Sequence, residues 1–355
     1  MLTDLCEAMS KESGETYIIS LFRRKGIDFA EEQAWAAQRG IHVMLMQQSK
    51  SDSFFKVIWN LRRTLKELAN EDECCLFMHL KMGVLAGIAS TLGMKNVKRV
   101  EVYHSGYMNY GVQSFMSRPF IKRYISVSKE AKQQLIKWFH VRQNKIDVVY
   151  NGVDVEQIRK IAGTDRATSG LMHFMSVGRL SFEKGFKTPI RAYVELREDG
   201  RLEKSSYTMI GTGPQQEECK TLSKSYVNFT GVIPRERVYR NIGSSDVMIL
   251  PSLWEGNSIL MLEVLALGKP MIVTDIPSFR EVLGFLPLKK NEKCRKEWFG
   301  AVFCKEDTDA CKKAMCLVYD HQDSITDCAD RIKALGDKFS TREQAKEYIR
   351  IANEL

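Results

Sequence analysis

The chain has 355 residues, of which 44% are hydrophobic and 27% are charged, and its formal net charge is +9. This length suits two domains of ordinary size, and the composition is that of a folded protein, which excludes a disordered chain. No apolar run reaches the roughly 20 residues that cross a bilayer. The first residues lack the basic segment and apolar core of a signal peptide. We therefore expect a cytoplasmic protein.

The cysteines exclude two further classes of protein. There are nine of them, an odd number, and no two are spaced as a CxxC pair. A disulfide framework and a structural zinc site are both poorly supported by this pattern. We expect reduced thiols.

Short apolar segments alternate with helical segments along the whole chain. The predicted strands are 17–21, 42–47, 75–79, 99–103, 123–127 and 147–149, and then 173–177, 207–210, 227–230, 247–250 and 271–273. Strands interleaved with helices are typical of parallel sheets. The pattern predicts two doubly wound domains with a cleft between them, joined by the polar linker 161–170. The chain opens on a helical segment at 2–10, so the strand that normally opens such a domain is expected to be absent.

The segment EGNSILMLE at 255–263 carries the main chemical signal. Glu255 follows a predicted strand, and open α/β sheets place their ligands at that end of a strand. Glu263 lies one turn into a helix, where its carboxylate can accept hydrogen bonds from vicinal hydroxyls. The helix entry between them exposes backbone N–H groups that suit a diphosphate, and it consists of Gly256, Asn257 and Ser258. The alternative interpretation is a loop acid and a helix-surface acid.

Two cations follow the first strand of the second half, in VGRLSFEKG at 177–185. Arg179 and Lys184 at a strand end can neutralise a departing diphosphate, a role that a metal would otherwise take. Two solvated surface cations are the alternative. The sequence D-T-D at 307–309 can hold a metal, but it precedes a helical segment, so we interpret it as a helix cap. We expect no metal and no other cofactor.

Three weaker signals follow other strands. Gly211 and Gly213 in IGTGP match half of a dinucleotide fingerprint and predict a tight turn that can face a nucleotide. His104 follows the strand at 99–103 and could bind a donor sugar, although a structural role is the alternative. Asn151 begins an Asn-Gly turn that can line the cleft. We interpret His79, at the end of another strand, as structural.

Basic residues accumulate in the first half. Residues 111–146 contain eight Lys or Arg and one acid, Glu130, which suggests an anionic partner. Residues 114–125 interleave cations with Phe115, Met116, Phe120, Ile121 and Ile125, and helix 54–68 places Lys56, Arg62, Arg63 and Lys66 beside Trp59. This pattern predicts peripheral binding to anionic membranes. Apolar residues in a core below solvated cations are the alternative, and no nucleic-acid-binding module is recognisable.

Taken together, these segments resemble the retaining glycosyltransferases of family 4, the group 1 transferases of the GT-B fold. The matching pieces are NGVD (151–154), VGRLSFEKG (177–185), IGTGP (210–214), NFTGVIPRERV (228–238), SDVMILPS (245–252) and WEGNSILMLEVLALGKPMIVTD (254–275). The resemblance is most specific over residues 172–283. It implies an α/β protein with two doubly wound Rossmann-like domains facing each other across a cleft.

The resemblance also implies the domain boundaries. Residues 1–165 would form the acceptor-side domain, without its usual first strand and Gly-rich loop. Residues 166–338 would bind the nucleotide-sugar, and residues 339–355 would form a helix that crosses back to the first domain.

Residue by residue, the resemblance assigns the donor site. Arg179 and Lys184 would bind phosphate, Glu255 the donor sugar, and Glu263 the ribose. The backbone from Gly256 to Ile259 would touch sugar and phosphate. His104 would be the histidine of the first domain, and the base would lie near Ile233.

The implied reaction is sugar transfer, with retention of configuration, from a nucleotide-sugar, with a UDP-sugar favoured. The acceptor would be a glycan or a lipid-linked sugar in polysaccharide or cell-envelope synthesis. The chain departs from the family pattern in two ways. Asn257 and Ser258 stand where the family often has an aromatic residue or glycine, and the first strand is missing. A catalytically impaired partner subunit is one alternative, and a nucleotide-sugar epimerase or phosphorylase of the same fold is the other.

Overall fold

The computed structural model describes residues 2–13, 16–21, 29–46, 52–69, 73–104, 117–163, 170–321 and 328–355. The chain divides into two compact units, unit 1 with Met1–Gly152 and Thr341–Leu355, and unit 2 with Val153–Ser340. The division lies after residue 152, whereas the sequence pattern places it after residue 165. None of the helices in the described ranges combines the length and the apolar character that a membrane span requires.

Unit 1 alternates strands with helices. Its elements are α1 (Leu2–Ser13), β1 (Thr16–Ser20), α2 (Phe29–Ala37), β2 (Ile41–Leu45), α3 (Phe54–Leu68), β3 (Cys74–His79), α4 (Leu80–Thr91), β4 (Val97–Tyr103), β5 (Arg123–Ser126), α5 (Lys129–Phe139), β6 (Ile146–Val148) and the C-terminal helix α14 (Thr341–Asn353). The strands form two parallel sheets, β1-β2 and β3-β4-β5-β6, where the sequence predicted one.

Helix α14 packs on the larger sheet of unit 1. The ring centroids of Tyr348 and Phe77 are 4.9 Å apart. Ala345 and Ile351 are buried in the same cluster as residues of β4 and β5. An ion pair of 2.9 Å joins Glu354 to Arg123 on β5. The last helix therefore belongs to unit 1, although the residues that precede it belong to unit 2.

The described residues of unit 2 form one sheet of seven strands. Its elements are α6 (Val155–Ala162), β7 (Met172–Val177), α7 (Lys187–Glu198), β8 (Ser205–Ile210), α8 (Gln216–Ser223), β9 (Val227–Gly231), α9 (Arg235–Ser244), β10 (Val247–Leu250), α10 (Ile259–Ala266), β11 (Met271–Thr274), α11 (Pro277–Leu283), β12 (Cys294–Glu297), β13 (Gly300–Phe303), α12 (Thr308–Tyr319) and α13 (Ala329–Asp337).

The strand order of this sheet is β12-β13-β11-β10-β7-β8-β9, and only β12 runs antiparallel. Apart from that edge strand, this is the doubly wound order of nucleotide-binding sheets. The order reverses between β7 and β10, which are hydrogen-bonded neighbours. Ligands of such sheets bind at the carboxyl ends of the strands beside this switch point.

The predicted strands agree with the observed ones to within two residues at each end. The sequence analysis missed β12 and β13. Strand β12 is polar and lies at the edge of the sheet, so it lacks the apolar run that marks a buried strand. Strand β13 is fully buried and has four residues, as β10 has, so its length does not account for the miss.

Glu101 on β4 is a buried carboxyl group of unit 1. It is 3% exposed, and its Oε2 accepts a hydrogen bond of 3.5 Å from Ser117. Burial raises the pKa of Glu101 from 4.5 to about 7. The folded chain therefore holds this proton more tightly than the unfolded chain does. The resulting stability is present below pH 4.5 and is lost as the pH rises through about 7.

We expect Glu101→Gln to remove this loss of stability at rising pH. Between about pH 4 and pH 8 the free energy of unfolding of the wild type should fall, relative to the variant, by about 3 kcal/mol. Urea unfolding of both proteins across this range measures the difference, and histidine titrations common to both cancel in it. Glu67→Gln on the exposed side of α3 is the control and should follow the wild type. A constant difference between wild type and Glu101→Gln would contradict the prediction.

Candidate active site

An ion pair lies at the switch point of unit 2. Lys184 ends a short 3-10 turn after β7, and Glu255 lies in the loop after β10. The Lys184 Nζ atom is 2.6 Å from Oε1 of Glu255, and Ser252 donates a hydrogen bond of 2.9 Å to the same oxygen. The two side chains are 29% and 14% exposed. The pair is therefore partly shielded from water, which strengthens its attraction relative to a surface pair.

The loop that carries Lys184 is fixed against the loop after β10. The backbone N–H of Leu253 donates to the carbonyl of Glu183 at 2.8 Å. Gly185 has a φ of +66°, and a Cβ added there would lie 2.3 Å from the carbonyl oxygen of Pro251. Only glycine permits this approach of the two backbones. The carboxylate and the ammonium group are thus held together by backbone contacts as well as by their charges.

The glycine loop after β8 packs on the other side of the same segment. Leu180 N–H donates to the carbonyl of Thr212 at 3.0 Å, and Gln215 N–H donates to the carbonyl of Leu180 at 2.9 Å. A Cβ on Gly213 would lie 2.4 Å from the Leu180 carbonyl oxygen. A tight turn was predicted here, and the structure shows that it is used for contact between neighbouring loops.

Glu263 is buried, so the interpretation of it as a helix-surface acid is wrong. It lies on α10 and is 9% exposed. Its Oε1 accepts hydrogen bonds from the Tyr239 hydroxyl at 3.0 Å and from Arg235 Nη2 at 3.2 Å. The Arg235 guanidinium lies 5.3 Å from the centre of the Tyr239 ring. Burial raises the pKa of Glu263, and the charge of Arg235 opposes that rise.

Sequence reasoning missed Arg235 and Tyr239, which both lie on α9. Arg235 stands in a segment that matched the family, NFTGVIPRERV, but nothing in that segment shows which face of α9 meets α10. Ile233, at the start of the same region, packs half-buried against the core of unit 2.

The helix entry between the two carboxylates is also buried. Asn257 and Ser258 are 7% and 6% exposed. Ser258 is the N-cap of α10, but its side chain accepts no hydrogen bond from the first turn. That side chain therefore does not compete with an anion for the first N–H groups of the helix.

The remaining predicted residues lie at the positions expected from the strands. Arg179 is exposed in the loop after β7, next to Gly178. Asn151 is buried in unit 1, in the loop after β6.

Asp307 caps α12, as predicted. Its Oδ1 accepts a hydrogen bond of 2.9 Å from the N–H of Ala310, and Lys293 lies 2.8 Å from its Oδ2. Within the described part of the chain, no three His, Cys, Asp or Glu side chains cluster in a way that could hold a metal ion. None of the nine cysteines, which all lie in the described ranges, forms a disulfide bond.

Unit 1 holds two histidines at neighbouring strand ends. His79 ends β3 and His104 follows β4, with His79 Nδ1 lying 3.0 Å from His104 Nε2. Burial lowers the pKa of both rings, that of His79 to about 3. Both rings are therefore neutral near pH 7, and one proton lies between the two facing nitrogens. His79 was interpreted as structural, and its contact with the predicted site residue His104 was missed.

Two family models match the chain and together cover most of it. "Glycosyltransferase Family 4" matches residues 1–157, and "Glycosyl transferases group 1" matches residues 166–285, the region that holds the Lys184–Glu255 pair. The chain belongs to the family 4, group 1 glycosyltransferases.

Curated relatives of this family 4 chain match only part of it. The UDP-Gal:alpha-D-GlcNAc-diphosphoundecaprenol alpha-1,3-galactosyltransferase of Escherichia coli is 30% identical over 168 residues, which is 43% of each chain. An uncharacterized glycosyltransferase of Methanocaldococcus jannaschii is 25% identical over 173 residues, 45% of this chain and 44% of that one. The chain thus spans less than half the length of these relatives.

Solved structures share the fold over nearly the whole chain. HepE of Anabaena, in complex with UDP and glucose, has a TM-score of 0.78 at 13% identity, covering 100% of this chain and 95% of that one. A glycosyltransferase of Rickettsia africae has a TM-score of 0.74 at 16% identity, covering 99% and 93%. The family 4 chain therefore has the GT-B fold, built from two Rossmann-like domains.

Proposed function

We propose that this chain transfers a sugar from a nucleotide-sugar donor, with a UDP-sugar favoured, to a hydroxyl of a glycan or lipid-linked acceptor. The observation that carries the proposal is the Lys184–Glu255 pair at the switch point of a nucleotide-binding strand order. Two names support it: the E. coli relative is named for UDP-Gal and a diphosphoundecaprenol-linked acceptor, and the HepE structure contains UDP.

In the proposed reaction the bond from the sugar C1 to the diphosphate oxygen breaks, and a bond from C1 to the acceptor oxygen forms on the same face. The acceptor proton passes to the departing phosphate oxygen, so no side chain acts as nucleophile. Arg179, Lys184 and the helix entry at Gly256–Ser258 neutralise the charge that develops on the diphosphate. Because Glu255 and two fixed loops already hold Lys184, its ammonium group needs little reorganisation during the reaction.

The buried carboxylate of Glu263 would bind the ribose. Tyr239 and Arg235 both donate to Oε1, so we assign the ribose hydroxyls to Oε2. The two donors fix the plane of the carboxylate before the nucleotide binds. The base would then lie near Ile233, beyond the end of β9.

The binding half of the proposal is tested with a panel of UDP-, GDP- and ADP-sugars and ligand-detected NMR. We expect UDP-sugars to bind, and free UDP to compete with them. Absence of binding by every member of the panel would contradict the proposal. A phosphorylase would require inorganic phosphate for turnover, an epimerase would change the sugar without releasing nucleotide, and an impaired partner subunit would bind without turnover.

We further propose that transfer requires no metal ion, because two cations and a helix terminus surround the leaving diphosphate. Activity should survive an excess of EDTA with less than about a twofold loss, since no step of charge neutralisation is assigned to a metal. The measurement is the release of nucleoside diphosphate before and after chelation. Loss of activity that Mg²⁺ or Mn²⁺ restores would contradict this part of the proposal.

For the membrane contact, the structure changes which residues can take part. Ile121 is 2% exposed and Ile125 is fully buried, so both are core residues and cannot insert into a bilayer. Phe115 and Met116 lie outside the described residues. Arg123 and Lys132 donate to backbone carbonyls within unit 1. Some cations of residues 111–146 therefore have structural roles. The prediction of membrane binding now depends on α3.

Helix α3 has one buried face and one face with large exposed aromatic side chains. Val57, Leu61 and Leu65 are buried, whereas Phe55 is 84% and Trp59 is 72% exposed. These two rings lie four residues apart, so they share a face of the helix, and Arg63 continues the same line. We propose that this face contacts anionic membranes, with the aromatic rings inserted and the cations at the headgroups.

We expect cosedimentation with anionic liposomes at low salt and much less with neutral ones. Phe55→Ser combined with Trp59→Ser should abolish it, because the inserted apolar area is removed. Trp138→Ser on α5 is the matched control, since Trp138 is 55% exposed on another helix, and it should bind like the wild type. Equal binding of the double variant and the wild type would contradict the role of α3.

A further inference from the structure

His79 and His104 form a pair, and the sequence predicts a functional role, binding of the donor sugar, for His104 alone. Strands β3 and β4 are parallel neighbours, and His79 is in register with Val102, two residues before His104. Both side chains are half-buried, and the distance of 3.0 Å between His79 Nδ1 and His104 Nε2 is that of a hydrogen bond.

His79 lies at a helix N-terminus but does not cap the helix. His79 is the N-cap of α4, with an extended backbone, but its side chain makes no capping hydrogen bond. Ser, Thr, Asp and Asn are preferred at the N-cap, because their short side chains reach the N–H groups of the first turn. The ring of His79 turns instead to the end of the neighbouring strand.

Two neutral imidazoles in this geometry share one proton, which leaves two arrangements. In the first, His104 Nε2–H donates to Nδ1 of His79, and both rings carry their proton on Nε2. In the second, both rings carry it on Nδ1. The Nε2–H form is the more stable tautomer of a free histidine side chain, so the first arrangement places both rings in their favoured form.

We propose that His79 is a positioning residue that accepts the Nε2 proton of His104 and thereby leaves Nδ1 of His104 as a hydrogen-bond acceptor. His104 then receives an O–H from a hydroxyl of the donor sugar and donates no N–H to it. The assignment of the partner as a sugar rests on the proposed function, whereas the tautomer of His104 does not.

The test uses His79→Asn and His79→Leu, which have side chains of nearly the same shape. The amide oxygen introduced by His79→Asn takes the place of Nδ1 and accepts the same proton, whereas His79→Leu offers no acceptor. Spectra of the chain labelled with ¹⁵N-histidine report the tautomer of each ring, and His104→Gln identifies the signals of His104 among the six histidines. We expect a protonated Nε2 and a bare Nδ1 for His104 in the wild type and in His79→Asn, and a mixed tautomer in His79→Leu.

Turnover of the donor is the second readout. His79→Leu should lower kcat by about 10-fold or more with little change in donor KM, on the scale of losing a group that orients a functional side chain. His79→Asn should restore most of this loss. Unfolding of the protein would not lower kcat in His79→Leu alone while leaving donor KM unchanged. Thermal unfolding of both variants checks that they are folded.

A protonated Nδ1 on His104 in the wild type would overturn the proposal, as would equal kcat values for His79→Asn and His79→Leu. If the chain transfers no sugar at all, the spectra still decide the tautomer. Failure of the proposed function is therefore distinguishable from failure of this inference. If His79→Leu does not fold, the wild-type and His79→Asn spectra carry the test.

Discussion

Lys184→Met and Glu255→Gln should each lower donor turnover by at least about 100-fold, the scale of removing one preorganised group that stabilises transition-state charge. Met keeps most of the length of Lys184 without its charge, and Gln keeps the shape of Glu255. The two residues share a contact of 2.6 Å, so their effects should not add. The double variant should be little slower than the slower single variant. Steady-state release of nucleoside diphosphate measures all three.

The matched control is a surface pair in the same unit. Lys187 and Glu218 are 2.9 Å apart with side chains 30% and 51% exposed. Lys187→Met and Glu218→Gln therefore make the same chemical changes in a pair that joins α7 to α8 and includes no residue assigned to the donor site. They should leave turnover within about twofold of the wild type, because exposed ion pairs contribute little. Near-wild-type rates in folded Lys184→Met would contradict the site assignment.

Gly211→Ala should destabilise unit 2 by about 3 kcal/mol or more, since it combines backbone strain with a steric clash. Gly211 has a φ of +130°, and an added Cβ would lie 1.9 Å from the carbonyl oxygen of Gly178. The backbone hydrogen bond of 2.9 Å between Gly178 N–H and the Ile210 carbonyl holds the two loops at that distance. To accept a methyl group the loops must separate, so binding of UDP-sugars should weaken as well.

Gly284→Ala separates the effect of backbone strain from that of the steric clash. Gly284 ends α11 with a φ of +73°, and an added Cβ would meet no atom within 4 Å. This variant carries only the conformational cost of about 1 kcal/mol that a left-handed residue imposes. Thermal unfolding followed by tryptophan fluorescence compares the two. Equal shifts of Tm would show that contact between the loops after β7 and β8 does not fix this part of the site.

The sequence predicted β7 to β11 of unit 2 well because these strands are apolar and mostly buried. Strand β10 is a clear example, with four buried residues that end where the loop to Glu255 begins. Since parallel strands end at one edge of the sheet, motif residues after β7 and β10 could be expected to approach each other. The 2.6 Å contact between Lys184 and Glu255 agrees with that reasoning.

Contacts between elements that are distant in sequence could not be predicted in the same way. The hydrogen bonds from Arg235 and Tyr239 to Glu263 depend on how two helices pack, and no local pattern records that packing. The pair of His79 and His104 depends on the register of β3 and β4. For Ile121, neighbouring cations suggested exposure, whereas the residue is buried in the core of unit 1.

The most direct test of the central claim is the release of UDP from a panel of UDP-sugars in the presence of EDTA. The wild-type chain should release UDP from at least one donor, and the rate should rise when a glycan or lipid-linked acceptor is added. Lys184→Met and Glu255→Gln should release almost none under the same conditions, whereas Lys187→Met should behave like the wild type. A folded wild-type chain that releases nucleotide from no sugar donor, with or without acceptor, would contradict the claim that it is a sugar transferase.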